Sequence, residues 1–413
     1  MTGNVPAKLQ MQWQQPRRRG GRCRAGATES VSARLGRSAI TAFRTRSRQP
    51  HRSKELEHDA LAEHPWGALM LTVPDSWAWD FWIAQDDGRF HLYFLNAPHS
   101  LGDPGRRHRA ARIGHAVSTD LRDWDIVGRA FEGGDEGAFD ATATWTGCVV
   151  RGDDGLWRMF YTGSRFLHPE PEYANIETVG VAVSSDLTNW EKLPGPITRA
   201  DPRWYETYVP GEGWKEEAWR DPWVFRDPSG SGWHMLVTAR AKEGPLDDRG
   251  VIGHAYSPDL QEWEVLPPLS DPGAGFGHLE VPQVAQIDGQ WVLVFSCGPN
   301  TLSSGNSARQ DNPGTWALPI SAPHEHMDVA AAHPLTTSQH YSGRLVMDRD
   351  ESWALMCFLG AAPGSDFRGV ISDPVPVSVD ADGYLVVDDD AFDPSPLKSG
   401  PSPVRPAAED AAG

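Results

Sequence analysis

The sequence predicts an all-β chain folded as a five-bladed β-propeller, preceded by a disordered basic N-terminal extension. Three observations carry that prediction. The 413 residues include 34 Pro, 41 Gly and 18 Trp, a composition of many short elements joined by turns. A pattern of six fixed positions occurs three times. Five hairpin signals recur at intervals of 57–77 residues.

The repeated pattern is GHAVSTDLRDW at Gly114–Trp124, GVAVSSDLTNW at Gly180–Trp190 and GHAYSPDLQEW at Gly253–Trp263. All three fit G-x-A-x-S-x-D-L-x-x-W, spaced by 66 and 73 residues, and internal repeats mark repeated supersecondary units. Each reads as a short strand, an Asp-bearing turn, and a Trp placed to pack on the strand it follows.

The hairpins interleave with this pattern. In chain order they are FWIAQ with GRFHLYFLNA, TGCVVR with GLWRMFYTGS, PWVFR with GWHMLVTARA, VPQVAQI with GQWVLVFSCG, and GRLVMD with SWALMCFLGA. Further short strands follow each hairpin, so each unit has four, and radial closure removes the open sheet edges. Residues 60–392 are the expected propeller, 1–59 the extension and 393–413 an acidic, Pro/Ser-rich flexible tail.

Charge narrows the partners. Residues 1–54 hold 13 Lys/Arg against Glu29 alone, net +12, which leaves −30 of the −18 total on the remainder. The run QPRRRGGRCR lacks an apolar h-region, so it is not read as a secretory signal, and a cytoplasmic location is the expectation. Its composition resembles a transit peptide or a nucleic-acid tail, but a disordered extension is the plainer reading. The acidic body argues against nucleic acid and anionic membrane as partners. No apolar run is long enough to span a bilayer.

Cofactor chemistry finds no motif. Cys23, Cys148, Cys297 and Cys357 are too scattered for a disulfide framework or a metal cluster and read as free thiols. His324, His326, His333 and His340 lack metal-ligand spacing and read as solvated loop residues. There is no Gly-rich phosphate loop and no G-x-S-x-G elbow. No cofactor and no metal are expected.

In a propeller the innermost strand of each blade lines a central channel. The residues that open those strands are Asp80, Thr146, Asp221, Glu280 and the Tyr341–Ser342 pair. An Asp-Pro such as Asp221-Pro222 is by itself a turn starter, and Glu280 by itself a surface acid. Three acids at one structural place on three blades point to a site. Two carboxyl groups across a sugar are what glycosidic cleavage requires, one ionised and one protonated. Glu280 stands between Leu279 and Val281, a setting expected to raise its pKa by desolvation, while Asp80 and Asp221 have donors nearby. Trp79, Trp82, Trp145 and Trp219 flank these positions, and sugar faces stack on indoles. Blade packing claims Trp124, Trp190 and Trp263.

At these residues the chain resembles the fructan-active five-bladed propeller enzymes, glycoside hydrolase families 32 and 68, and more distantly family 43. The likeness covers most of residues 75–300. WAWDFW looks like the nucleophile motif of the levansucrase group, TWTGCVVRGDDGLWRMFYTG is similar to the Trp-Ser-Gly segment with Thr146 for Ser, WRDPWVF matches the Arg-Asp-Pro motif, and LEVPQV occupies the place of the Glu motif. The resemblance implies Asp80 as nucleophile, Glu280 as general acid/base and Asp221 as transition-state stabiliser. Arg220, Trp79, Trp82, Trp145, Thr146 and Tyr341 would bind the substrate, an oligosaccharide or disaccharide.

The chain also departs from its relatives. The Asn-Asp-Pro-Asn-Gly nucleophile motif is absent, Val281 replaces a usual Cys, and no β-sandwich is expected within the residues after the propeller. The leading expectation is a retaining hydrolase of β-fructofuranosides. The alternatives are an inverting arabinosidase or xylosidase, a fructosyltransferase, and a non-catalytic sugar-binding propeller.

Overall fold

The structure, a computed structural model, describes residues 70–305, 313–337, 339–360 and 367–387. The basic extension expected over 1–59 and the tail expected over 393–413 lie outside the described residues, as does Cys23. The described part is a five-bladed propeller of antiparallel sheets, each with its first strand innermost.

Blade 1 runs Ser76–Gln85, Phe90–Pro98, Arg112–Ser118 and Asp125–Phe131. Blade 2 runs Ala143–Arg151, Trp157–Phe166, Asn175–Ser184 and Glu191–Lys192, with Glu216–Glu217 added in parallel. Blade 3 runs Trp219–Arg226, Trp233–Arg240, Gly250–Ser257 and Glu264–Leu266. Blade 4 runs Glu280–Ile287, Gln290–Cys297, Gly314–Ile320 and His333–Pro334. Blade 5 runs His340–Met347, Trp353–Leu359, Val375–Val379 and Leu385–Val387, with Val370–Ile371 beside its second strand. Second strands are packed on both faces, as in Trp233–Arg240, where every residue is buried. The fourth strand of blade 1 is mostly exposed.

The triple repeat proves to be an inter-blade device. Ser118, Ser184 and Ser257 donate their hydroxyls to Asp120, Asp186 and Asp259, closing the turn after each third strand. The next residue, Leu121, Leu187 or Leu260, sits at φ of 61–66° with its side chain buried. Two of the three tryptophans reach the preceding blade. Trp190 of blade 2 meets Tyr93 of blade 1, and Trp263 of blade 3 meets Phe160 of blade 2, both edge-on. The Tyr93 hydroxyl also donates to the Leu187 carbonyl.

Closure of the ring uses the first described residues. Leu71 and Ile371 exchange both backbone hydrogen bonds, at 3.0 and 3.1 Å, tying the chain ahead of blade 1 to blade 5. Of the histidines expected in solvated loops, His340 is buried and His324 half-buried. His324 stacks on His234, whereas His326 and His333 are exposed. Cys148, Cys297 and Cys357 are buried thiols.

Candidate active site

Every innermost strand carries a β-bulge at the same level. The register slips between Trp79 and Phe81, Trp145 and Gly147, Arg220 and Trp223, Glu280 and Gln283, and Tyr341 and Arg344. An extra residue in one strand bends it and re-aims a side chain. Four of the bulged residues have positive φ: Asp80 at 22°, Asp221 at 57°, Val281 at 55° and Ser342 at 55°. Such conformations cost about 1–3 kcal/mol each and persist only where the surroundings impose them.

Those surroundings are a ladder of hydroxyls on the second strands. The Asp221 amide donates to Thr162 Oγ1 at 2.9 Å, the Val281 amide to Thr238 Oγ1 at 3.2 Å, and the Ser342 amide to Ser296 Oγ at 3.0 Å. Each bond joins the bulge of one blade to the blade before it. Sheet bulges leave backbone groups without ladder partners, and these hydroxyls supply them.

The bulges make two tiers. Asp80, Thr146, Asp221, Val281 and Ser342 form the lower one; Trp79, Trp145, Arg220, Glu280 and Tyr341, one residue earlier, form the upper. Glu280 was expected on the same rung as Asp80 and Asp221, and it stands one residue before it. Both tiers contribute to one cavity of about 780 Å³, lined by Asp80, Asp221 and Glu280 together with Trp79, Trp145, Thr146, Arg220 and Tyr341.

Trp82 is not among them. The bulge at Asp80 resets the strand's alternation, so Trp82 pairs with Tyr93 and stacks on it at 6.1 Å, inside the core. Trp219, which also flanks an axial position, is buried against Tyr205. Trp79 and Trp145 wall the cavity while nearly buried themselves. The Trp145 indole donates to the His108 carbonyl at 2.8 Å, and the Arg107 guanidinium lies 5.5 Å over Trp79.

The three carboxylates differ in their surroundings. Asp80 accepts from the Thr146 hydroxyl at 2.7 Å. Burial, with the charges of Asp221 and Glu280 adding to it, pushes its pKa up to about 6. Asp221 accepts from Thr238 Oγ1 at 2.8 Å and from the Val281 amide at 3.2 Å. Its carboxyl is also raised by burial, against the pull of Arg220. Glu280 does not sit in the apolar setting that its sequence neighbours suggested, because Leu279 packs into the core and the Glu280 carboxylate meets charged and polar partners. It accepts from Arg220 Nη2 at 2.7 Å and from the Tyr341 hydroxyl.

Arg220 is the hub of a buried network absent from the expected site. Its Nη1 donates to Glu177 at 2.9 Å, and its Nη2 contacts His278 Nδ1 at 2.9 Å. Burial raises the Glu177 carboxyl, while burial and the Arg220 charge push His278 well down, which keeps the imidazole neutral and able to accept. His278 carried no strand signal, since it lies two residues before Glu280 in the segment leading into the strand. Glu177 carried none, because it comes from a third strand outside the repeat's fixed positions. Arg107 and His108 reach the rim from a short 3-10 helix, Pro104–Ala110, which no periodicity announces.

A funnel in a five-bladed propeller, with three carboxylates from three blades and indoles in its wall, defines a carbohydrate-cleaving type of site. Comparison with known sequences agrees. The description of the glycosyl hydrolases family 32 N-terminal domain matches residues 82–356, and the chain belongs to that family. It is 26% identical over 270 residues to an extracellular sucrase of Zymomonas mobilis, a match spanning 56% of this chain and 64% of the sucrase. Among solved structures, an inulosucrase from Halalkalicoccus jeotgali bound to kestose shares the fold at a TM-score of 0.59. The two are 24% identical, and the overlay covers 77% of this chain and 88% of that one. The catalytic domain of a β-fructofuranosidase from Microbacterium saccharophilum overlays at 0.61 with 17% identity, over 78% and 84%.

Proposed function

We propose that the protein is a retaining glycoside hydrolase acting on β-fructofuranosides such as sucrose or short fructans. The observation that carries this reading is the convergence of Asp80, Asp221 and Glu280 on one cavity. Family membership and the names of the relatives support the substrate class.

In the first step an Asp80 oxygen attacks the anomeric carbon as the glycosidic bond breaks, and Glu280 gives its proton to the departing oxygen. In the second, Glu280 takes a proton from water, the hydroxide displaces Asp80 from the sugar, and both carboxyls return to their starting states. Asp221, held by Thr238, accepts hydrogen bonds from sugar hydroxyls that tighten as charge develops. Arg220 and Tyr341 hold the Glu280 carboxyl at a fixed orientation. The likeness to sucrases and levansucrases supports a variant in which a second sugar's hydroxyl replaces water in the second step.

The test is incubation with sucrose, inulin and arabino-oligosaccharides, followed by product analysis. Sucrose cleavage is expected, with about 10⁴-fold or greater loss of kcat in Asp80→Ala and an unchanged fold by circular dichroism. Glucose released in excess over fructose marks transfer. Turnover of Asp80→Ala near the wild-type rate, or cleavage confined to arabino-oligosaccharides with inversion, overturns the proposal.

A further inference from the structure

Below the sugar cavity, on the propeller axis, a single guanidinium touches the inner strands of three other blades. Arg344 follows the Ser342–Gly343 bulge on the innermost strand of blade 5 and is 3% exposed. Its Nε donates to the Phe81 carbonyl at 3.2 Å. Its Nη1 donates to the Pro282 carbonyl at 3.3 Å and, more weakly, to the Val281 carbonyl at 3.5 Å. The guanidinium also lies 5.4 Å over the Trp223 ring.

The partners of this side chain fall in a pattern. Phe81 follows Asp80, Val281 and Pro282 follow Glu280, and Trp223 comes two residues after Asp221. One cation thus rests against the segment immediately downstream of each of the three site carboxylates. Bulges leave carbonyls without ladder partners, and an unpaired buried carbonyl is costly. A planar fork with several donors can satisfy carbonyls on two strands at once; an ammonium cannot match that geometry.

We propose that Arg344 is a positioning residue for the reaction: by pinning the bulges of blades 1 and 4 from beneath, it sets the spacing of the Asp80 and Glu280 carboxylates. Arg344 does not line the sugar cavity, so it acts through those carboxylates and not on the substrate. The inference rests on the roles proposed above for Asp80 and Glu280.

The charge has a second effect. Asp80 faces Asp221 and Glu280, with the Thr146 hydroxyl as its donor and the Arg107 cation acting on it from the rim. Tyr341 lies between Glu280 and Asp80 and stays a neutral phenol, its ionisation opposed by burial and by both carboxylates. Arg220 is taken up by Glu177, Glu216 and Glu280. Arg344 is the cation beneath this group. Burial lowers its pKa to about 10, with Asp221, the Cys148 thiol and Asp80 pulling the other way, so it remains charged at neutral pH. Removing it takes away a charge that favours ionised Asp80.

Blades 4 and 5 have an independent tie, because the Gln283 amide brackets Leu345, donating to its carbonyl and accepting from its amide at 2.8 Å each. Arg344 variants of the full chain therefore retain that join. The experiment measures kcat and KM for sucrose against pH, with melting temperature in parallel, for Arg344→Lys and Arg344→Met. Arg344→Lys keeps the charge and loses the fork. Its kcat is expected to fall tenfold or more, with KM within threefold and the acid limb of the pH profile in place. Arg344→Met loses both, and is expected to lose about 100-fold in kcat and to move the acid limb upward by about one pH unit.

A wild-type kcat in Arg344→Lys overturns the pin, including where Arg344→Met fails to fold. An unshifted acid limb in folded Arg344→Met overturns the electrostatic effect. Wild-type protein inactive on every fructoside would sink the functional reading instead, and active wild type with inert Asp80→Ala but unaffected Arg344 variants would sink this inference alone.

Discussion

Asp80 joins three demands that ordinarily conflict. It occupies a backbone conformation that non-glycine residues avoid, it is buried, and it sits beside two other acids. Each of the last two disfavours its charged form, so its pKa of about 6 lies above that of a free aspartate. The sign of the consequence is fixed. A carboxyl raised in the fold stabilises the protein at acid pH, and that stability is lost as pH climbs through about 6. In the role proposed for Asp80 attack needs the ionised form, so kcat/KM should fall on the acid side of about pH 6, where the fold gains from the same proton. Asp80→Asn removes the charge while nearly preserving shape. At pH 7.5 it is expected to raise the melting temperature by about 2 °C or more while abolishing turnover, and the stability gain should vanish near pH 4. A calorimetric pH series checks both.

The elements show why sequence pattern locates some of this site and misplaces the rest. Alternation along an inner strand predicts which side chains share a face, and each bulge breaks that alternation at the residue that matters. Asp80 and Asp221 were legible because they are the bulged residues themselves. Glu280 was legible as a candidate but displaced by one rung, and Trp82 was assigned to the wrong face, because an inserted residue reverses everything after it. The hydroxyl ladder holds the bulges in place, and Thr238 serves two of them, bonding both the Asp221 carboxylate and the Val281 amide. Thr238→Val keeps the shape and leaves those groups unpaired in a buried place. It is expected to cost about 1–3 kcal/mol in denaturant unfolding, with kcat reduced more than KM is changed.

For the whole molecule, the propeller converts residues scattered from position 80 to 341 into one wall. Blade-to-blade adhesion draws on Trp190 and Trp263, which meet aromatic rings of the preceding blade. Ring closure includes the paired backbone bonds of Leu71 and Ile371 and the bond from the Ala78 amide to the Gly369 carbonyl at 2.8 Å. Leu71→Pro deletes one donor and disturbs a buried side chain. It is expected to cost about 1–3 kcal/mol and lower the melting temperature by several degrees, with KM little changed if the funnel stays assembled below the transition.

By itself the sequence determined the five-blade architecture, because hairpins and a triple repeat are local patterns written in contiguous residues. It also brought three carboxylates to the funnel, since Asp80, Asp221 and Glu280 stand at the strand mouths whatever their exact rung. Only the tertiary structure decided the two tiers, the Glu177–Arg220–His278 network and the place of Arg344 under the floor. Each of these depends on contacts between blades and on bulges that reset alternation, and neither leaves a periodic mark along the chain.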